Sequence, residues 1–120
     1  MIRVGTDLVQ ISRIAASLET FGERFVARVY TAAEAAYATT PARLAARFAA
    51  KEAVKKALEL DGVSWTDIEV SRRDNGACDV VLHGAARAAA EALGARELAL
   101  SMSHEGDYAT AMVVAACEST

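Results

Sequence analysis

The residues of this sequence that could do chemistry lie far apart along the chain. An aspartate stands near the N-terminus, a glutamate and a lysine stand in the middle, and a histidine stands near the C-terminus. These residues are Asp7, Glu52, Lys56 and His104. On a helix, Glu52 and Lys56 are also an ordinary i,i+4 ion pair, which stabilises a helix by about 0.2–0.5 kcal/mol. The spacing therefore leaves both a structural and a chemical interpretation open.

The basic residues around Glu52 favour the chemical interpretation. They are Arg47, Lys51, Lys55 and Lys56. A carboxylate among cations on one helical face has the composition of a site for phosphates and a hard cation. A solvated helix face explains the same residues without a ligand. The sequence contains no Walker loop, dinucleotide glycine fingerprint or zinc quartet.

Composition limits the class of protein. The chain has 120 residues, of which 53% are hydrophobic, enough for one compact core and too few for two domains. We therefore expect one domain over residues 1–120. The net charge of −3 gives no support to nucleic-acid binding or to membrane-surface binding.

The cysteines and the hydropathy of the chain indicate in which cellular compartment the protein lies. Cys78 and Cys117 lack metal-ligand spacing, which favours ordinary core thiols in a reducing compartment. The N-terminus reaches Asp7 too early for a signal peptide, and no apolar run approaches the roughly 20 residues of a membrane span. We expect a cytoplasmic protein.

Hydrophobic periodicity supplies the elements that must position these residues. A strand is predicted over residues 2–9, followed by two short helices and a third that Thr31 caps with Glu34 in capping-box spacing. Thr40 and Pro41 begin the longest helix, which runs without a breaker to Gly62. One face of that helix is rich in alanine, which permits close packing.

The C-terminal half is predicted to contain two hairpins. Asp74-Asn75-Gly76 forms the turn of the first, a helix follows over residues 85–93, and Glu105-Gly106-Asp107 forms the turn of the second. Asp7 is thus expected near a strand end, and His104 beside a turn. Phe48 projects into the polar face of the long helix, so we expect a partner chain or a ligand to cover it.

Three blocks carry a family resemblance. They are Gly5-Thr6-Asp7, Arg47-Phe48-Ala49-Ala50-Lys51-Glu52-Ala53 with Lys56-Ala57, and Ser103-His104 before Tyr108-Ala109-Thr110-Ala111. In order and spacing the sequence resembles the holo-[acyl-carrier-protein] synthases, from its first residues nearly to its last. The resemblance implies an α+β fold, the 4′-phosphopantetheinyl transferase fold, in which a long helix packs on a three-stranded antiparallel sheet. It also implies a homotrimer with active sites between adjacent subunits.

The resemblance also implies an activity, which is transfer of 4′-phosphopantetheine from coenzyme A to a serine of an apo-acyl carrier protein. Asp7 and Glu52 match the carboxylates that bind Mg²⁺, and Glu52 is one candidate for accepting the serine proton, a metal-bound water being the other. Lys56 matches the lysine that contacts the pyrophosphate. Arg47, Ser103 and His104 match positions that bind coenzyme A, with His104 reaching from the neighbouring subunit.

Basic residues on the first helices match the carrier-docking positions of the family. They are Arg13, Arg24 and Arg28. Such contacts accelerate encounter with an acidic carrier, although exposed arginines on amphipathic helices also serve solubility. The segment Gly76-Ala77-Cys78 departs from the family pattern, which has glycine, lysine and proline there, so coenzyme or carrier preference is open.

Two other functions remain as alternatives. One is a catalytically idle trimeric module that binds the carrier or the coenzyme, and the other is a magnesium-dependent hydrolase of nucleotide pyrophosphates. Release of adenosine 3′,5′-bisphosphate that depends on magnesium and on an apo carrier separates both from the transferase.

Overall fold

The structure, a computed structural model, describes residues 1–118. The elements in chain order are β1 (Ile2–Gln10), α1 (Ile11–Phe21), α2 (Glu23–Val29), α3 (Ala32–Tyr37), α4 (Pro41–Leu58), a short 3₁₀ helix (Trp65–Asp67), β2 (Ile68–Arg72), β3 (Cys78–Leu82), α5 (Gly84–Ala92), β4 (Ala95–Glu105) and β5 (Tyr108–Cys117).

The strands form one antiparallel sheet and a separate hairpin. The sheet has three strands in the order β1-β5-β4, while β2 and β3 pair only with each other among the described residues. Asp7 pairs with Ala111 of β5, and His104 pairs with Ala109 of the same strand. The predicted α+β fold and the positions of both predicted hairpins are confirmed.

Helix α4 packs directly on strand β1. Ala49, Ala50 and Ala53 are fully buried on the face that contacts the sheet. A Cβ on Gly5 would overlap the carbonyl oxygen of Ala53, so only glycine permits this approach. Small residues on both elements therefore set how closely α4 lies to the strand that carries Asp7.

The ends of α4 differ in how well the sequence predicts them. Thr40 accepts a hydrogen bond from the backbone N–H of Arg43 at 3.3 Å, and Pro41 occupies the first turn as predicted. The predicted run to Gly62 is too long. The helix ends at Leu58 because Glu59 adopts a left-handed conformation with φ 52° and caps it.

The grouping of Lys51 with the cations of α4 that would meet a ligand or solvent is wrong. Its side chain is fully buried and forms an ion pair with Glu34 at 2.6 Å, between α4 and α3. Arg47 is also nearly buried, at 7% exposure, whereas Lys56 is exposed. The polar face of this helix is therefore partly an internal network rather than a solvated surface.

The outer face of the sheet leaves large apolar side chains exposed. They alternate along β1 and β5 and are Ile2, Val4, Leu8, Tyr108 and Met112. The opposite face of β5 is buried against α4, with Val113 fully inaccessible. Within residues 1–118, no helix is long and apolar enough to cross a membrane.

Candidate functional site

Strand β1 and helix α4 bring the two predicted metal carboxylates to one cleft. Asp7 and Glu52 both line a cavity of about 700 Å³. Arg13 of α1 and Tyr108 of β5 line the same cavity. The sequence prediction that Asp7 and Glu52 converge from distant positions is therefore consistent with the fold.

Lys56 lies beside Asp7. Its Nζ donates to Oδ1 of Asp7 at 2.9 Å and to the backbone carbonyl of Thr6 at 3.0 Å. The Lys56 side chain remains 57% exposed, while that of Asp7 is 18% exposed. A half-exposed lysine side chain bonded to a carboxylate of the cleft is placed to meet an anionic ligand.

Glu52 has a neutral partner that the sequence interpretation missed. The indole Nε1–H of Trp65 donates to Oε1 of Glu52 at 3.0 Å. Trp65 lies in the 3₁₀ helix, after a loop that follows α4. Trp65 is the only tryptophan of the chain, which could have marked it as a residue of interest. Its pairing with Glu52 could not be predicted, because it depends on the course of that loop.

Glu34 makes more contacts than its predicted role in a capping box requires. The box is present, since Thr31 and Glu34 exchange both bonds. Glu34 also accepts from Lys51 Nζ at 2.6 Å and from the backbone N–H of Val70 at 2.8 Å. Burial lowers the pKa of Lys51, and the Glu34 carboxylate opposes that shift.

A second pocket contains the residues matched to coenzyme A binding. Arg47, Ser103 and His104 line it, together with Arg43 and Arg72. The buried Nε of Arg47 has no hydrogen-bond partner in this structure. Several cations and an unpartnered guanidinium N–H suit an anionic ligand such as a phosphate.

Within one chain these residues do not meet the carboxylates. Arg47 lines the second pocket, whereas Glu52 of the same helix lines the cleft with Asp7. Cys78, in the segment that departs from the family pattern, also lines the second pocket. The structure therefore divides the predicted site residues between two cavities.

A third cavity contains two of the three predicted docking arginines. Arg24 and Arg28 line it with an apolar floor that includes Phe48 and Trp65. Arg13 lies instead at the carboxylate cleft. Phe48 is partly covered by its own chain, since its ring centroid is 5.9 Å from that of Trp65, so its position needs no partner to explain it.

The donor set of the cleft suits a small hard cation that shares its ligands with a substrate. Among residues 1–118, no cluster of three or more His, Cys, Asp and Glu side chains could enclose a metal ion. Asp7 and Glu52 supply two carboxylates to an open cleft, and Mg²⁺ is characteristically held by one or two carboxylates, substrate phosphates and water. The residues present fit that ion.

The chain matches known proteins over nearly its whole length. A family model described as the 4′-phosphopantetheinyl transferase superfamily matches residues 3–113. The holo-[acyl-carrier-protein] synthase of Koribacter versatilis is 45% identical, with 95% of this chain and 97% of that protein covered. The synthase of Moorella thermoacetica is 46% identical, with 95% and 93% covered.

Solved structures agree with the sequence matches. The Chronobacterium ammoniagenes ACPS-CoA complex superposes with a TM-score of 0.89 and 35% identity, covering 99% of both chains. The Helicobacter pylori holo-[acyl-carrier-protein] synthase in complex with coenzyme A gives a TM-score of 0.86 and 28% identity, covering 94% of this chain and 99% of that one. The chain therefore belongs to the 4′-phosphopantetheinyl transferase superfamily, within its holo-[acyl-carrier-protein] synthase family.

Proposed function

We propose that this chain is a magnesium-dependent enzyme that transfers 4′-phosphopantetheine from coenzyme A to a serine of an apo-acyl carrier protein. The observation that carries the proposal is that Asp7 and Glu52 line one cleft and that Lys56 is hydrogen-bonded to Asp7. That arrangement occurs in a fold whose solved relatives include complexes with coenzyme A.

The reaction is a phosphoryl transfer. The serine oxygen forms a bond to the β-phosphorus, the bond from that phosphorus to the bridging oxygen breaks, and adenosine 3′,5′-bisphosphate leaves with the electron pair. Catalysis of such a step rests mainly on positioning and charge stabilisation. The chain needs no nucleophile of its own, because the attacking hydroxyl belongs to the carrier.

Charged residues of the cleft have separate roles in this proposal. Lys56 contacts the pyrophosphate, and Asp7 and Glu52 hold Mg²⁺, which when bound offsets the negative charge of the phosphates. Glu52 is one candidate for accepting the serine proton, since its partner Trp65 is neutral whereas Asp7 is already paired with a cation, and a metal-bound water is the other.

Coenzyme A phosphates bind the second pocket in this proposal. Arg47 and His104 contact them, and Ser103 lies beside His104 on β4. Because the second pocket and the carboxylate cleft are separate in one chain, we place the complete site between copies of a homotrimer. The exposed apolar face of β1 and β5 supports such an assembly, since association would remove it from water.

A subunit-mixing experiment tests the shared site. Glu52→Ala and His104→Ala are each expected to be inactive when pure. Co-refolding the two variants recovers activity if one subunit supplies Glu52 and its neighbour supplies His104, because some interfaces then hold both intact residues. A site contained within one chain would gain nothing from mixing.

The acidic carrier docks on the first helices in this proposal. Arg24 and Arg28 are exposed at the rim of an apolar cavity, and Arg13 lies at the cleft where the serine would arrive. Free thiols at Cys78 and Cys117 fit a cytoplasmic location.

Chromatographic detection of adenosine 3′,5′-bisphosphate separates the transferase from its alternatives. We expect release that requires the enzyme, Mg²⁺ and an apo carrier together. Release without a carrier would indicate a nucleotide pyrophosphate hydrolase. Binding of coenzyme A with no release under any condition would indicate an idle binding module.

A further inference from the structure

We infer that Trp65 is a positioning residue that fixes the Glu52 carboxylate for divalent-cation binding. The inference rests on the proposed function, because it takes Glu52 as a metal ligand. Its structural basis is the 3.0 Å hydrogen bond from the indole Nε1–H to Oε1 of Glu52. That bond engages one carboxylate oxygen and leaves the other oxygen to face a cation.

Two neighbouring side chains contact the indole ring of Trp65. The Phe48 ring centroid lies 5.9 Å from that of Trp65, in a tilted arrangement. The ammonium of Lys55 lies 4.5 Å from the Trp65 ring centroid, within cation–π range. A ring with these two contacts has little freedom to rotate, so its N–H keeps a defined direction toward Glu52.

The backbone of Trp65 is fixed from the protein interior. The fully buried Lys51 Nζ donates to the Trp65 carbonyl at 3.0 Å and also to the carbonyl of Ile68. The same ammonium is paired with Glu34, which ties it to α3. A continuous set of contacts thus runs from Glu34 through Lys51 and Trp65 to the carboxylate of Glu52.

A neutral hydrogen-bond donor is well suited to orienting a carboxylate that binds a cation. Asp7, the other carboxylate of the cleft, is paired with the ammonium of Lys56, which offsets its charge. The indole N–H orients Glu52 without bringing a formal positive charge to it. The Glu52 carboxylate therefore keeps its negative charge for a cation, and the hydrogen bond fixes its orientation before the cation binds. Hydrogen-bonding partners outside the ligand shell orient metal ligands in the same way.

Trp65→Phe tests the inference, because it keeps an aromatic ring and removes the N–H. The measurement is Mn²⁺ binding followed by electron paramagnetic resonance, on full-length protein with coenzyme A and no carrier. Loss of an outer hydrogen bond to a ligand typically weakens metal affinity about 10–100-fold, and we expect a weakening in that range. The matched control is Thr66→Val in the same 3₁₀ helix, which should bind Mn²⁺ like the wild type.

A second variant shows whether the effect acts through Glu52. In a Glu52→Gln background, Trp65→Phe should produce no further loss of Mn²⁺ affinity. Circular dichroism and the unfolding temperature of each variant show that the protein is folded. Unchanged Mn²⁺ affinity in folded Trp65→Phe, or an equal loss with and without Glu52, would overturn the inference. Failure of the wild type to bind Mn²⁺ would instead contradict the proposed metal site itself.

Discussion

The Nζ of Lys56 lies 2.9 Å from Oδ1 of Asp7, although the two residues are 49 positions apart in the sequence. The bond joins α4 to β1 across the surface where the alanine face of the helix meets the strand. The close packing at Gly5 is therefore what brings the ammonium and the carboxylate to the same cleft.

Asp7→Ala and Glu52→Ala are each expected to lose magnesium-dependent turnover while the fold is retained. Removing a carboxylate that acts as a ligand or base costs about 10²–10⁴-fold in rate. The measurement is initial rate against Mg²⁺ concentration, with circular dichroism on the same samples. Wild-type activity in both variants would refute the metal assignment.

Gly5→Ala is expected to destabilise the protein and to lower activity with it. The new methyl group overlaps the carbonyl oxygen of Ala53 and forces α4 away from β1, an overpacking that costs about 1–3 kcal/mol or more. The free energy of unfolding in urea measures the loss.

Gly106→Ala is the control for the Gly5 variant. Its Cβ meets open space, and only its positive φ of 58° is strained, at a cost of about 1–2 kcal/mol. Activity per folded molecule should fall only in the Gly5 variant. Equal activity per folded molecule in the two variants would contradict the role of close packing at Gly5.

Lys51→Met is expected to cost about 3–5 kcal/mol of unfolding free energy, because it leaves the buried Glu34 carboxylate without its cation. The double variant Lys51→Met with Glu34→Gln should be more stable than Lys51→Met alone, because no buried charge is left unpaired. Chemical denaturation of both variants checks this. A loss in Lys51→Met as small as that of an exposed lysine, under ~1 kcal/mol, would contradict the buried ion pair.

Arg24→Glu is expected mainly to slow association with the carrier. The residue is exposed and lies at the rim of the third cavity, so its charge should steer an acidic partner and its effect should shrink as salt is raised. Stopped-flow association rates measure this. Arg87→Glu, on the exposed surface of α5, is the matched control and should leave carrier association unchanged. Equal association rates in the two variants would refute docking at Arg24.

The hydrogen bonds of Glu69 predict that the stability of the protein falls in acid. Hydrogen bonds from Thr31 and then from His83 hold the pKa of Glu69 below its ordinary 4.5. Because the folded-state pKa is depressed, the stabilisation is complete above the unfolded pKa and is lost as pH falls through the folded one. The stability advantage of wild type over Glu69→Gln should therefore be complete at neutral pH and should shrink as the pH falls below the ordinary value of 4.5. A stability difference that stays constant from neutral pH into acid would contradict the lowered pKa of Glu69.

Local signals predicted most of the fold. The Thr40-Pro41 start of α4, the capping box at Thr31 and the turn at Asp74-Asn75-Gly76 depend on neighbouring residues, and the structure has all three. The end of α4 was predicted too late because Glu59 adopts a left-handed conformation that favours glycine or asparagine.

The long-range contacts of the site were harder to predict. Lys51 has the charge of a surface residue, and only the position of α3 places Glu34 against it. Trp65 gave no local sign of its bond to Glu52, because the intervening loop determines which donor reaches the carboxylate. The grouping of Asp7 with Glu52 came from the family resemblance, and their shared cleft is consistent with it.

The most direct test of the proposed activity is intact mass spectrometry of an apo-acyl carrier protein incubated with this enzyme and coenzyme A. Carriers of fatty-acid synthesis and of secondary pathways are each tested, with Mg²⁺ or with chelator. We predict that at least one carrier gains the mass of one phosphopantetheine group, and only when both enzyme and metal are present. No gain on any carrier, from folded enzyme that binds coenzyme A, would contradict the transferase function.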